Sequence, residues 1–232
     1  MNQQTQQTQR ARVIVFDVNE TLLDIEILNP FFEKVFGDAR VMRQWFAELI
    51  LYSQAITLSG GYAEFGQIAV AVLQMISQIR AISLGASDVE EFKDRMRELP
   101  AHKDAPPALE LLSNAGFRLV TLTNSAPAAG TATLEKAGLA SYFERQFSVD
   151  AVKRFKPAPE TYQSVASALA TNASSLRLVA AHTWDTMGAM ASGWKAALLT
   201  RPGNAPLLFG EQPDIIESDL LAIAKRIISA DR

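Results

Sequence analysis

Four short runs of the chain are apolar at consecutive rather than alternate positions: "VIVF" at 13–16, "RLVTLT" at 118–123, "LRLVAA" at 176–181 and "KAALLT" at 195–200. Such runs suit strands buried on both faces, as in a parallel sheet covered by helices on each side. Between the later runs, apolar residues recur at helical spacing. "APPALELLSNAG" (105–116) has prolines suited to a first helical turn and Gly116 suited to a C-terminal cap. "GTATLEKAGLASYF", "APETYQSVASALA" and "DTMGAMASG" follow in turn. The alternation predicts an α/β fold, a doubly wound parallel sheet of Rossmann-like topology.

Residues 25–100 break this rhythm and contain no strand pattern. They read as helices: "NPFFEKVFG", "RVMRQWFAELILYSQAI", "YAEFGQIAVAVLQMISQIRAI" and "SDVEEFKDRMREL", with "LSGGY" (58–62) as a turn between the two long ones. Ser87 is the expected N-cap of the last, with acids in its first turn. About 75 residues of helix are too many for a βα connection. The pattern therefore predicts a helical cap at 25–100, inserted into a core domain made of 12–24 and 101–232 and lying over the carboxyl ends of the strands. Residues 1–11, "MNQQTQQTQRA", read as a short disordered polar tail, not as a secretory signal.

Composition narrows the chemistry. The net charge of −3 provides no basic field for nucleic acid or anionic lipid. The absence of cysteine excludes thiolate nucleophiles and Cys-ligated metals. No apolar run reaches the roughly 18 residues of a membrane span. The expectation is a cytoplasmic protein with a small-molecule partner.

Ligands of open parallel sheets bind outside the carboxyl ends of the strands. Three strands end there in polar clusters: Asp17, Asn19 and Thr21; Thr123, Asn124 and Ser125; His182, Thr183 and Asp185. Lys156, before Pro157, lies between the second and third clusters. Each cluster alone is ordinary loop chemistry, and Arg43, on a cap helix, reads as a solvated charge. Their order along one sheet edge is what points to a site.

"FDVNETLLD", "LTNS", "SVDAVKRFKPAPETY" and "HTWDTMGA" resemble, in order and spacing, the four motifs of the haloacid dehalogenase superfamily, and most closely those of its type II 2-haloacid dehalogenases. The resemblance spans about residues 12–200. It implies that Asp17 is a nucleophile, that Lys156 pairs with it, and that Asp185 orients Lys156 or the hydrolytic water. It further implies that Thr21 and Asn124 bind the nucleophile or the substrate carboxylate, and that Asn19, Phe46, Thr123 and Tyr162 complete the substrate-binding set. Asn19, Phe46 and His182 depart from the family pattern. Phe46 stands where the family carries a cap arginine, and Arg43 lies one turn earlier. His182 is a candidate to take a proton from water.

Asn19 is the informative departure. Phosphatases of the superfamily use an acid at this position to protonate the leaving alkoxide, and an amide cannot do so. Halide leaves unprotonated and needs neither acid nor metal. The expected reaction is metal-independent, cofactor-free hydrolytic dehalogenation of small 2-haloalkanoic acids through an aspartyl ester. Two alternatives stay open: a Mg²⁺-dependent phosphatase of a small metabolite, and a binding protein of the same fold with little turnover. The apolar cap helices also suit a homodimer.

Overall fold

The computed structural model describes residues 12–231, so the expected tail at 1–11 lies outside the described residues. Six parallel strands form one sheet in the order β3-β2-β1-β4-β5-β6. They are β1 (Val13–Phe16), β2 (Arg118–Thr123), β3 (Arg145–Ser148), β4 (Leu176–Ala180), β5 (Lys195–Leu199) and β6 (Ile215–Glu217). Strand β1 is central and pairs with β2 on one side and β4 on the other. The strand order reverses there, and the crevice beyond such a reversal is where doubly wound sheets place ligands.

Four of the six strands coincide with the apolar runs. Strand β3, "RQFS", has exposed or half-buried side chains throughout and carries no buried-strand signature. Strand β6 is a three-residue edge strand. Inside β4, the wholly buried Arg177 interrupts the apolar run. Its guanidinium is satisfied by Asp231 at 2.6 Å and Asp214 at 2.9 Å.

Both faces of β1 are buried, because its side chains alternate between two apolar clusters. Ile14 and Phe16 pack into one with α5 (Ala105–Asn114) and α9 (Leu220–Asp231). Val13 and Val15 pack into the other with Tyr162 and Val165 of α7 (Pro159–Ala168) and Ala189 of α8 (Thr183–Ala191). Helix α6 (Pro127–Lys136) follows β2.

Between β1 and α5 lie α1 (Asn29–Phe36), α2 (Val41–Leu58), α3 (Phe65–Ile79) and α4 (Ala86–Arg97). Helix α4 begins one residue before Ser87. Gly85 is its N-cap, and the Asp88 carboxylate accepts the Gly85 N–H at 3.0 Å. Ser87 thus sits inside the first turn, correcting the expected cap. The carboxylate at the third helical position reaches back to the free N–H, which is half of a capping box. Trp45 and Phe92 are buried and meet edge to face at 5.1 Å, tying α2 to α4. These residues join the same apolar cluster as Ile14 and Phe16.

The α2–α3 turn is fastened to the segment that leads into Lys156. Thr57 accepts the Phe155 N–H on its hydroxyl, and its carbonyl accepts from Arg154, both at 3.0 Å. The Tyr62 hydroxyl donates to Asp150 at 2.8 Å, and the Tyr62 ring stacks on Phe155.

Candidate active site

Asp17 follows β1 directly, and its N–H is still paired to the Val179 carbonyl of β4 at 3.0 Å. That bond carries the strand register past its last residue and fixes the carboxylate at the sheet edge. Lys156 reaches it from the loop after β3. The Nζ donates to Asp17 Oδ1 at 2.7 Å, Asp185 Oδ2 at 2.6 Å and the Leu122 carbonyl at 3.0 Å. Those three bonds use every proton of the ammonium group. Lys156 is buried; burial alone would lower its pKa, but the charges of Asp17 and Asp185 prevail and raise it.

Thr21, four residues after Asp17, donates to Asp17 Oδ2 at 2.8 Å and accepts the Ala181 N–H at 2.8 Å. Burial pushes the Asp17 pKa up, yet the charge of Lys156 and then the contact with His182 hold it well below the usual carboxylate range. Asp17 is therefore an anion that water barely reaches.

Asp185 lies at the start of α8, beneath Lys156. Its second oxygen accepts from the Tyr162 hydroxyl at 2.7 Å. The structure thus corrects the placement of Tyr162. It is wholly buried behind Asp185 and holds that carboxylate, where a substrate contact was expected. Gly188 makes room for it, because a Cβ there would stand 2.5 Å from the Tyr162 hydroxyl. Asn124 and Thr123 are buried beside Asp17. The Asn124 side-chain oxygen accepts the Lys156 N–H at 3.2 Å, and the Thr123 hydroxyl accepts the Ser125 N–H at 3.1 Å.

His182 has carboxylates on both sides. Its Nε2 is 2.7 Å from Glu20 Oε2, and its Nδ1 is 3.2 Å from Asp17 Oδ2, off the line of a good hydrogen bond. Burial lowers its pKa, but the two carboxylates outweigh burial and push it up to about 9. The two carboxylates therefore favour the imidazolium form while Asp17 is ionised. Its ring meets Trp184, stacked at 5.0 Å, and Phe46, tilted at 5.5 Å. Neighbouring aromatic rings suit a cation.

Glu20 was not singled out by any sequence signal. It is held at φ 66°, a left-handed backbone that few non-glycine residues adopt. Its carboxylate meets His182 on one oxygen, and Arg43 and Asn204 on the other. Arg43 is accordingly no solvated charge. It pairs with Glu20 and Glu26 and donates to the Pro202 carbonyl at 2.9 Å. It stands behind Glu20 and lines none of the chamber in front of Asp17.

That chamber is lined by Asp17, Asn19, Phe46, Ile50, Phe65, Thr123, Asn124, His182 and Trp184, and encloses about 10 Å³. The donor set fits a divalent metal poorly. Lys156 occupies the position between the Asp17 and Asp185 carboxylates, and both Asp185 oxygens are committed. Asn19 has no acidic proton to give a leaving alkoxide. The site as built is a buried carboxylate, Asp17, held between Lys156 and His182.

The sequence profile of the haloacid dehalogenase-like hydrolases matches residues 11–175. The chain is 30% identical to (S)-2-haloacid dehalogenase 4A of Burkholderia cepacia over 201 residues, covering 84% of this chain and 85% of that one. It is also 30% identical to (S)-2-haloacid dehalogenase 1 of a Pseudomonas strain over 196 residues, covering 82% and 85%. A crystal structure of an L-2-haloacid dehalogenase superposes with a TM-score of 0.90 at 25% identity, covering 94% of this chain and 99% of that one. The L-2-haloacid dehalogenase of Xanthobacter autotrophicus superposes with a TM-score of 0.86 at 23% identity, covering 94% and 98%, and so shares the fold. With its four motifs gathered at one sheet edge and the profile spanning most of its length, the chain belongs to the haloacid dehalogenase-like hydrolases.

Proposed function

We propose that this protein hydrolyses the carbon–halogen bond of small 2-haloalkanoic acids, without a metal, through an ester on Asp17. The observation that carries this reading is the buried Asp17 carboxylate, kept ionised by Lys156 and His182 beside an amide at position 19. Relatives bearing the name (S)-2-haloacid dehalogenase support the substrate class.

In the first step an Asp17 oxygen attacks C2. The C–O bond forms, the carbon–halogen bond breaks, and halide leaves with the bonding pair. In the second step water attacks the ester carbonyl carbon, the acyl C–O bond breaks, and a 2-hydroxy acid leaves Asp17 regenerated. Thr21 and Lys156 stabilise the charge that develops on the ester oxygens. Asp185 and Tyr162 hold Lys156 in place. The segment 25–100 acts as a cap that keeps water scarce around the nucleophile.

His182 acts in the second step. Esterification removes the Asp17 charge that helps keep the imidazole protonated. Its pKa then falls and it releases its Nδ1 proton to solvent. Glu20 retains the proton on Nε2, so Nδ1 faces the ester as the free acceptor for a proton from water.

Halide release from chloro-, bromo- and fluoro-acids, with and without EDTA, tests the proposal. Release insensitive to EDTA and abolished by Asp17→Asn is expected. Full halide release by Asp17→Asn, or EDTA-sensitive release of phosphate from phosphate esters, refutes it.

A cytoplasmic location and a homodimer belong to the same proposal. Among the described residues no helix is long and apolar enough to cross a membrane. Leu51 and Leu58 of α2 and Ile79 of α3 are exposed apolar side chains, and sedimentation of the purified protein tests whether a second copy covers them.

A further inference from the structure

The chamber in front of Asp17 encloses about 10 Å³, room for about one water molecule. Its walls are buried side chains: Phe46 is 8% exposed and Phe65 4%. Beside it lies a second cavity of about 490 Å³ between α3, α4 and α6, a size typical of small-ligand sites. Asn19 and Phe65 line both. Asn19 is half-buried while Asp17, Thr123 and His182 are buried, and Asn19 and Phe65 form the partition between the two spaces.

We infer that this second cavity is the subsite for an apolar substituent on C2, and that the preferred substrates are 2-haloacids with a medium-length alkyl tail. The inference rests on the dehalogenase reading of Asp17. A substrate whose C2 sits at the Asp17 carboxylate has no space for a tail within the chamber. A tail directed past Asn19 enters walls built from Ala69, Val70, Phe92 and Met96.

The charged groups of the cavity favour an alkyl tail over a second carboxylate. Lys93 and Arg97 of α4 line it, but each is paired with an acid on its own helix, Glu90 and Asp94. Glu64 lines it as well and repels an anion. Burial of each added methylene in such walls is worth about a fourfold gain, the equivalent of about 0.8 kcal/mol.

Halide release from bromoacetate and from 2-bromohexanoate, measured on the full chain, tests the inference. The six-carbon acid is expected to show a kcat/KM at least tenfold the higher. Ala129→Trp on α6 and Ala71→Trp on α3 narrow the cavity from opposite walls at exposed positions. Each is expected to lower the ratio of the two kcat/KM values at least tenfold, and the pair keeps the test open if one variant fails to fold. Bromoacetate cleaved as efficiently as the longer acid, or a ratio unmoved in a folded variant, overturns the inference. No halide from either acid overturns the dehalogenase reading itself, and the inference with it.

Discussion

Replacing His182 with Asn separates the two half-reactions. In the resting site the imidazolium lies 3.2 Å from Asp17 Oδ2. Two unit charges at that distance attract by about 5 kcal/mol at an effective dielectric constant of about 20. Loss of the Asp17 charge on esterification could lower the His182 pKa by as much as about 4. About two thirds of that brings it from about 9 to its ordinary 6.5. Ester hydrolysis should then rise with pH through an apparent pKa between about 5 and 7, while ester formation stays flat across that range. General-base assistance is worth about 10²–10⁴-fold, so His182→Asn should slow hydrolysis by that factor and let the ester on Asp17 accumulate. Quenched single-turnover reactions followed by intact-mass measurement read both steps. Equal ester lifetimes in the variant and the parent, or a hydrolysis rate flat from pH 5 to 8, would refute the role. The same shift links to stability. The folded pKa of about 9 exceeds the ordinary 6.5, so His182 contributes about 3 kcal/mol, fully present below pH 6.5 and lost as pH rises through about 9. Urea melts of the parent and His182→Asn should converge above pH 9.

Glu20→Gln replaces the acceptor at Nε2 with a group that can also donate, which permits the wrong tautomer. It should slow ester hydrolysis by about tenfold or more and leave the initial halide burst in place, as stopped-flow halide detection would show. Gly188→Ala drives a Cβ to 2.5 Å from the Tyr162 hydroxyl and 2.6 Å from Pro157 Cβ. A cost of about 1–3 kcal/mol in denaturant unfolding is expected, together with lower kcat as Asp185 loses its support. An unchanged unfolding midpoint would show that α8 yields freely. Lys156→Met leaves the buried Asp185 without a cation and Asp17 with His182 alone, and breaking a buried pair costs about 3–5 kcal/mol. Halide release should vanish with it, and a variant as stable as the parent in the same unfolding assay would contradict that electrostatic account.

The sheet was legible wherever burial on both faces left an unbroken apolar run, which covers β1, β2, β4 and β5. Strand β3 was silent because its side chains are exposed or half-buried, so no hydrophobic pattern marks it. Asp17, Thr21, Thr123, Asn124, Lys156, His182 and Asp185 were legible because short polar clusters directly after buried strands, or before Pro157, stand out. Glu20 was not. It lies inside "DVNETLL", where an acid reads as an ordinary turn residue, and its role depends on Arg43, Asn204 and His182, which are remote in sequence. Tyr162 misled for a related reason. Its motif position is visible in the chain, but whether a side chain faces substrate or the back of a carboxylate is decided by packing against Gly188 and Trp194.

Phe46 and His182 are best understood together. Asp17, Asp185 and Glu20 bring three carboxylates into one buried region, and Lys156, His182 and Arg43 answer them with three cations. Apolar surroundings tolerate such groups only when every charge is paired. An arginine at position 46 would add a fourth cation facing a ring already held as a cation. Phenylalanine there supplies a π face to the imidazolium instead. The site therefore carries its second cation on His182, at the end of β4, and leaves Phe46, Ile50 and Phe65 as an apolar wall. Moving that wall away from Asp17 would part Arg43 of α2 from Glu20, the ion pair that joins α2 to the turn after β1, while Lys156 and His182 stay on the core side with Asp17.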